Sequence, residues 1–129
     1  LDLSHNEFRE RSGQVIGTAL GENFRIETLR LGWNSLRNQG AVAIGQSLAY
    51  NDSLKVLDVN MNGFGYGGCL ALRVSLKTNT TLRELDLTNN SINWNGAQLI
   101  AHGLQDNTGL EVLRVRLLFT FWLMQKSRT

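Results

Sequence analysis

The feature that most constrains this chain is a short segment that returns every 28 residues without a slip: LDLSHN (1–6), LRLGWN (29–34), LDVNMN (57–62) and LDLTNN (85–90). Self-similarity of this kind argues against an ordinary globular core, because each repeat is one supersecondary unit that buries its apolar face only against a neighbouring copy. Counting each unit from its first leucine, position 1 is Leu1, Leu29, Leu57, Leu85 and Leu113, and position 3 is Leu3, Leu31, Val59, Leu87 and Val115. The alternation predicts a short strand that turns these side chains inward. The units are 1–28, 29–56, 57–84 and 85–112, with a partial fifth from 113.

Position 6 is Asn6, Asn34, Asn62 and Asn90, and position 26 is Ile26, Leu54, Leu82 and Leu110. An asparagine suits the point where the chain leaves the strand for the interior, since its amide can pair with backbone groups that would otherwise be buried alone. Stacked units then predict a ladder of asparagines. Beyond the turn, position 12 is Gly40, Gly68 and Gly96 (Ser12 in the first unit), and apolar or small residues follow at positions 13, 16 and 20. In the second unit these are Ala41, Ile44 and Leu48, and in the fourth Ala97, Ile100 and Leu104. That spacing predicts a helix of about ten to twelve residues with one stripe laid on the strand. Position 23 (Asn23, Asn51, Asn79, Asn107) follows the last periodic leucine, where asparagine in the left-handed conformation would end the helix.

The series L-x-x-L-x-L-x-x-N resembles the leucine-rich-repeat signature. The unit length and the Gly-small-x-x-Ile helix pattern are similar to the ribonuclease-inhibitor type of that family, across residues 1–116. The segment LRLGWNSLRNQGAVAIGQSL is similar to the leucine-rich repeat-containing protein 74 group. The resemblance implies a right-handed α/β solenoid, a horseshoe segment with parallel strands on the concave face and helices on the convex one. It also implies a protein-binding scaffold and no catalysis by the chain itself. Regulation of another enzyme in trans, such as GTPase activation, and a truncated isoform without independent function are the competing expectations. The resemblance stops at the end, where Leu118 stands at position 6 of the fifth unit and no helix pattern follows. Residues 117–129 are expected to be a cap, with Phe119, Phe121 and Trp122 over the last core layer, or an out-of-pattern tail.

Charge narrows the partner. Residues 1–112 hold 9 Lys/Arg against 11 Asp/Glu, and the other 4 basic residues lie at 113–129. A nucleic-acid binder spreads Lys and Arg over a groove-facing surface, because phosphate neutralisation supplies most of its affinity, so none is expected here. Cys69 is the single cysteine, which rules out an internal disulfide and favours a reducing, cytoplasmic setting. The most apolar run, 117–124, falls far short of the roughly 20 residues that span a bilayer. The chain opens inside a repeat motif and is read as a fragment of a longer repeat protein.

Candidate chemistry has bland explanations. Gly63, Gly65 and Gly68 fit G-x-G-x-x-G, with Asp86 beyond, yet Gly68 is the shared position-12 glycine and Asp86 stands where Asp2 and Asp58 do, so no nucleotide cofactor is expected. The surplus glycines at 63, 65 and 67 suggest a looser turn. Cys69 replaces Gly13, Ala41 and Ala97 and is expected to be a buried, inert thiol. His5 and His102 stand alone, without ligand spacing or a neighbouring nucleophile, so neither a metal nor a catalytic residue is expected. The sequons at Asn51, Asn79 and Asn89 have structural causes, two of them at helix ends.

The surface left over is the strand face opposite the core. Position 2 reads Asp2, Arg30, Asp58, Asp86, Arg114, position 4 reads Ser4, Gly32, Asn60, Thr88, Arg116, and position 5, at the rim, reads His5, Trp33, Met61, Asn89, Leu117. The candidate partner-binding residues are Arg30, Trp33, Asp58, Asn60, Met61, Asp86, Thr88, Asn89 and Arg114. Trp and Arg are the commonest interface hot spots, which makes Trp33 beside Arg30 the leading pair. The competing reading is a solvated sheet face with Trp33 packed on Met61. Tyr66 and Trp94 could extend the patch or shield the rim. Five strands about 4.8 Å apart give a wall of only a few hundred Å², against about 800 Å² per partner in a standard interface. The partner is expected to be a protein, with no small-molecule substrate, nucleic acid or membrane.

Overall fold

The computed structural model describes residues 1–117, so the cap or tail expected beyond Leu117 lies outside the described residues. Helix and strand alternate: α1 (Arg9–Glu22), β1 (Thr28–Arg30), α2 (Arg37–Ser47), β2 (Val56–Asp58), α3 (Gly65–Leu76), β3 (Glu84–Ile92), α4 (Trp94–Leu104) and β4 (Val112–Leu117). The strands form one parallel sheet in sequence order. Pairing joins residues one unit apart, as in Leu29 to Leu57 to Leu85 to Leu113, and Asp2 adds an isolated parallel bridge to Arg30. The α/β repeat solenoid is therefore the observed fold.

Burial follows the repeat positions. Leu29, Leu31, Leu57, Val59, Leu85 and Leu87 are buried from the strands, and Ile44, Leu48, Leu72, Leu76 and Ile100 from the helices. Position 8 supplies Leu36, Phe64 and Ile92, and position 26 supplies Leu54 and Leu82. Each large apolar side chain removed from water in this way contributes about 1.5–3 kcal/mol. The helices begin at position 9 or 10, earlier than the position-12 glycine suggested. Helix and helix meet backbone to backbone at Gly13 and Gly40, where a Cβ on Gly13 would come 2.7 Å from the Gly40 Cα.

The position-6 ladder forms as expected. Asn34, Asn62 and Asn90 each accept the N–H of the asparagine one unit back, at 3.1, 3.1 and 3.0 Å. Each also donates to the position-3 carbonyl of that unit.

The position-23 asparagines do something else. Asn23 has φ −78° and ψ 131°, an extended conformation, and Asn51, Asn79 and Asn107 do not have positive φ either. The left-handed cap is thus overturned, because the side chain has better work to do. Each Oδ1 accepts the N–H groups two and three residues on. The Nδ2 of Asn51, Asn79 and Asn107 reaches back to the helix-end carbonyls of Leu20, Leu48 and Leu76, each at 2.8 Å. This is a second ladder, at the opposite end of the unit.

Left-handed backbone falls instead at positions 5, 7 and 9. His5, Trp33, Met61 and Asn89 have φ of 58°, 60°, 52° and 55°. Ser35, Gly63 and Ser91 share that region at position 7, and Arg9, Arg37 and Gly65 at position 9. Gly63 and Gly65 therefore do not loosen a turn. They occupy sites that other units fill with strained non-glycine residues. Gly67 has no such conformation, and nothing in the structure explains it.

A candidate protein-binding wall and rim

Strand alternation turns position 2 outward in one aligned row, Asp2, Arg30, Asp58, Asp86 and Arg114. The three carboxylates of this row have a structural task. Asp2, Asp58 and Asp86 each accept through Oδ1 the N–H two residues on (Ser4, Asn60, Thr88), all at 2.9 Å. The position-3 carbonyls that a continuing ladder would offer are occupied by asparagine amides instead. An acceptor at position 2 thus closes the strand, a structural demand that alternation alone did not reveal. The Ser4 N–H and hydroxyl, followed by the charge of Arg30, hold the Asp2 carboxyl below its ordinary range. Arg30 has no corresponding task. Among the described residues no ion pair joins it to Asp2 or Asp58.

The other wall residues differ in freedom. Asn60 donates to Asp58 Oδ1 at 2.7 Å, and its amide fills the space over Gly32 that a side chain there would need. Thr88 is half-buried beside it. Arg114 pairs with Glu84 at 3.5 Å, so its charge is partly spoken for. Glu84 belongs to a row that the position count overlooked, since position 28 (Thr28, Val56, Glu84, Val112) precedes the first leucine and shares the outward face by the same alternation.

Above the strands, Trp33, Met61 and Asn89 are brought together along the rim of a groove of about 560 Å³. Ser35, Gly63 and Ser91 of position 7 line it with them, and among the described residues Arg37 is the one charged side chain there. These residues escaped the sequence reading because the left-handed backbone that folds positions 5 to 9 over the wall leaves no periodic mark. Trp33 is 49% exposed. Its ring stacks on His5, centroids 5.7 Å apart and planes 20° from parallel, so His5 is not isolated. Tyr66 and Trp94 are exposed at the helix starts and do not line the groove.

Among the described residues no group of three or more His, Cys, Asp or Glu could hold a metal ion, and no helix is long and apolar enough to cross a membrane. Cys69 is fully buried, and loss of hydration pushes its thiol up to about 11.

The solved structure titled "Leiomodin-1 Actin-Binding Site 2 (ABS2)" shares this fold with a TM-score of 0.80 over 98% of this chain and 76% of its own. Sequence identity is 23%, so the likeness is one of fold. A search of curated proteins finds no match. The family pattern described as "Leucine Rich repeat" matches residues 22–45, 50–72 and 78–101, more than half the chain. With the same units visible in sequence, sheet and both asparagine ladders, the chain belongs to the leucine-rich-repeat family.

Proposed function

We propose that this chain is a protein-interaction module, of the ribonuclease-inhibitor type of repeat, that holds its partner against the strand wall and the groove above it. The observation that carries this reading is the half-exposed Trp33 at the groove rim, together with Arg30 in the outward row of the strand wall, a charge with no ion partner among the described residues and no structural task. A large planar side chain already held by the His5 stack loses little freedom on binding, which is what makes a rigid aromatic an affinity anchor. Arg37 extends the basic side of the wall, while Asp58 and Asp86 keep one carboxylate oxygen each for a partner. A complementary partner therefore presents carboxylates towards Arg30 and Arg37 and cations towards Asp58 and Asp86. The module itself carries out no reaction, and its small wall makes it one part of a larger repeat surface in the cytoplasm.

The test compares Trp33→Ala/Arg30→Glu with the unaltered chain in quantitative capture from cell lysate, with purified actin as a separate arm because the similar solved structure bears that name. Proteins lost at least tenfold with the variant, its folding intact, support the wall. Unchanged capture sinks it. Absence of actin binding removes actin alone, and acceleration of GTP hydrolysis by a captured GTPase would turn the reading to regulation in trans.

A further inference from the structure

The groove above the strands is held in shape by bonds between units. Trp33, Arg37 and Met61 donate their N–H groups to Asn60, Asn62 and Thr88 of the following unit, at 2.9, 2.9 and 3.0 Å. Asn62 lines the groove but has nothing to offer a ligand, since it is buried and both atoms of its amide are committed to backbone groups. The side chains around it are the reverse. The hydroxyls of Ser35 and Ser91 and the amides of Asn38 and Asn89 are exposed and make no hydrogen bond among the described residues.

Arg37 supplies the charge, and unit 3 is cut back to receive it. Position 7 reads Glu7, Ser35, Gly63 and Ser91. At Gly63 a Cβ would come 2.9 Å from Arg37 Cγ and 3.8 Å from its Cβ and Cδ. The aliphatic stem of Arg37 thus lies in the gap that glycine leaves, and a stem already seated loses little freedom when its guanidinium is bound. Arg37 pairs with no carboxylate among the described residues. Glu10 spends Oε1 on the Gln39 N–H at 3.0 Å, Asp58 and Asp86 stand on the strand wall, and none of the three lines the groove.

One seated cation among neutral donors selects the occupant. A carboxylate takes two parallel N–H bonds from a guanidinium fork and brings one charge to neutralise. A phosphate monoester brings about −1.5 to −2 and would leave charge unmet. The exposed Trp33 and Met61 give the same groove an apolar side. Its volume of about 560 Å³ is that of a pocket for a few side chains, not of a bed for a folded face. We infer that the groove recognises a short extended acidic segment of a partner protein. An Asp or Glu of that segment sits on Arg37, and a large apolar or aromatic residue of the same segment lies against Trp33 and Met61. Such recognition presupposes the protein-interaction module proposed above and gives its partner a linear motif.

The test offers the 129-residue chain a pooled library of peptides of about seven residues, capped at both ends so that no terminal carboxylate competes. The retained sequences, read by mass spectrometry, should be enriched in Asp or Glu at a fixed spacing from Trp, Phe or Leu. In fluorescence polarisation the best of them should lose about tenfold or more in affinity with Arg37→Gln, and as much when its acid is replaced by the matching amide. Arg30→Gln, outside the groove, should leave that affinity within about twofold. A library from which no acidic peptide is retained overturns the inference, as does an acidic peptide that Arg37→Gln does not weaken. So does a phosphoserine version that binds about tenfold more tightly than the Glu version, since the site is then one for a dianion. The strand wall fails or stands separately. Lysate capture that is lost with Trp33→Ala/Arg30→Glu, beside a library that yields no acidic peptide, keeps the protein-binding reading and removes this motif alone.

Discussion

Cys69 takes the small-residue site of unit 3, and its burial has a measurable consequence. A thiol raised from the ordinary 9.0 to about 11 in the folded chain stays protonated after the unfolded chain has begun to ionise. The unfolded state then binds fewer protons, so stability falls as pH rises through that window, by up to about 1.4 kcal/mol per unit. Cys69→Ala, which reproduces the residue found at Ala41 and Ala97, should remove that slope. Urea unfolding from pH 7 to 11 should show the two proteins parallel at first and the unaltered chain falling away above pH 9, whereas parallel curves throughout would mean a hydrated thiol. The glycines beside it divide differently. Gly63→Ala places a side chain at φ 64° with Arg37 Cγ 2.9 Å away, and should cost about 1–2 kcal/mol. Gly67→Ala lies inside α3 with only Val42 in ordinary contact, and should gain about 0.5–1 kcal/mol in the same unfolding measurement. Both glycines were visible as a surplus in the sequence, but their difference was not. The fold imposes left-handed backbone on Trp33, Ser35 and Arg37 just as it does on Gly63 and Gly65, so residue type alone does not reveal the conformation.

The ladders decide the cost of a change by where the unit stands. Asn62 gives its amide to the Leu31 and Val59 carbonyls and accepts the N–H groups of Asn34 and Leu36. All four groups lie in buried residues, so Asn62→Ala strands several backbone groups together and should cost about 3 kcal/mol or more. Asn6→Ala removes bonds made at an exposed edge and should cost about 1 kcal/mol or less. Equal losses in chemical denaturation would show that asparagine acts through the local turn and not through the stack. Position 6 was legible in the sequence because a turn into the core needs a side-chain amide whatever stands beside it. Position 23 was misread because asparagine serves both a left-handed helix end and a carbonyl-binding bridge. What separates the two is the carbonyl brought opposite by stacking, 31 residues earlier in the chain, as Leu20 is for Asn51. The wall shows the same limit: alternation placed Arg30, Asp58 and Asp86 on one face, yet the N–H that each aspartate binds is freed only because the next asparagine ladder takes its carbonyl.

A solenoid of this kind holds each unit by its neighbours, so stability is expected to vary along the stack and not to be shared evenly. Leu3, His5 and Arg9 donate to Arg30, Gly32 and Asn34, each at 2.8 Å, and Leu31, Trp33 and Arg37 donate to Asp58, Asn60 and Asn62 at 2.8 to 2.9 Å. By bond length the two sets are equal. They differ in what lies behind them: Leu31 and Leu36 are wholly buried between two units, while Leu3 and Phe8 are covered from one side. In the 129-residue chain taken by itself, opening unit 1 breaks one joint and opening unit 2 breaks two. Hydrogen exchange under native conditions should therefore release Leu3, His5 and Arg9 well before Leu31, Trp33 and Arg37, by about tenfold or more for each 1.4 kcal/mol separating the units. The close approach of α1 to α2 at Gly13 and Gly40 works against this gradient, since it adds dispersion contacts at the first joint. It spans the helices alone, however, and leaves the strand edge at Leu1 to Asn6 open to water. If the six amides exchanged together, the helix joint would be holding unit 1 as firmly as its neighbours hold unit 2, and the chain would unfold as one block in spite of its repeats.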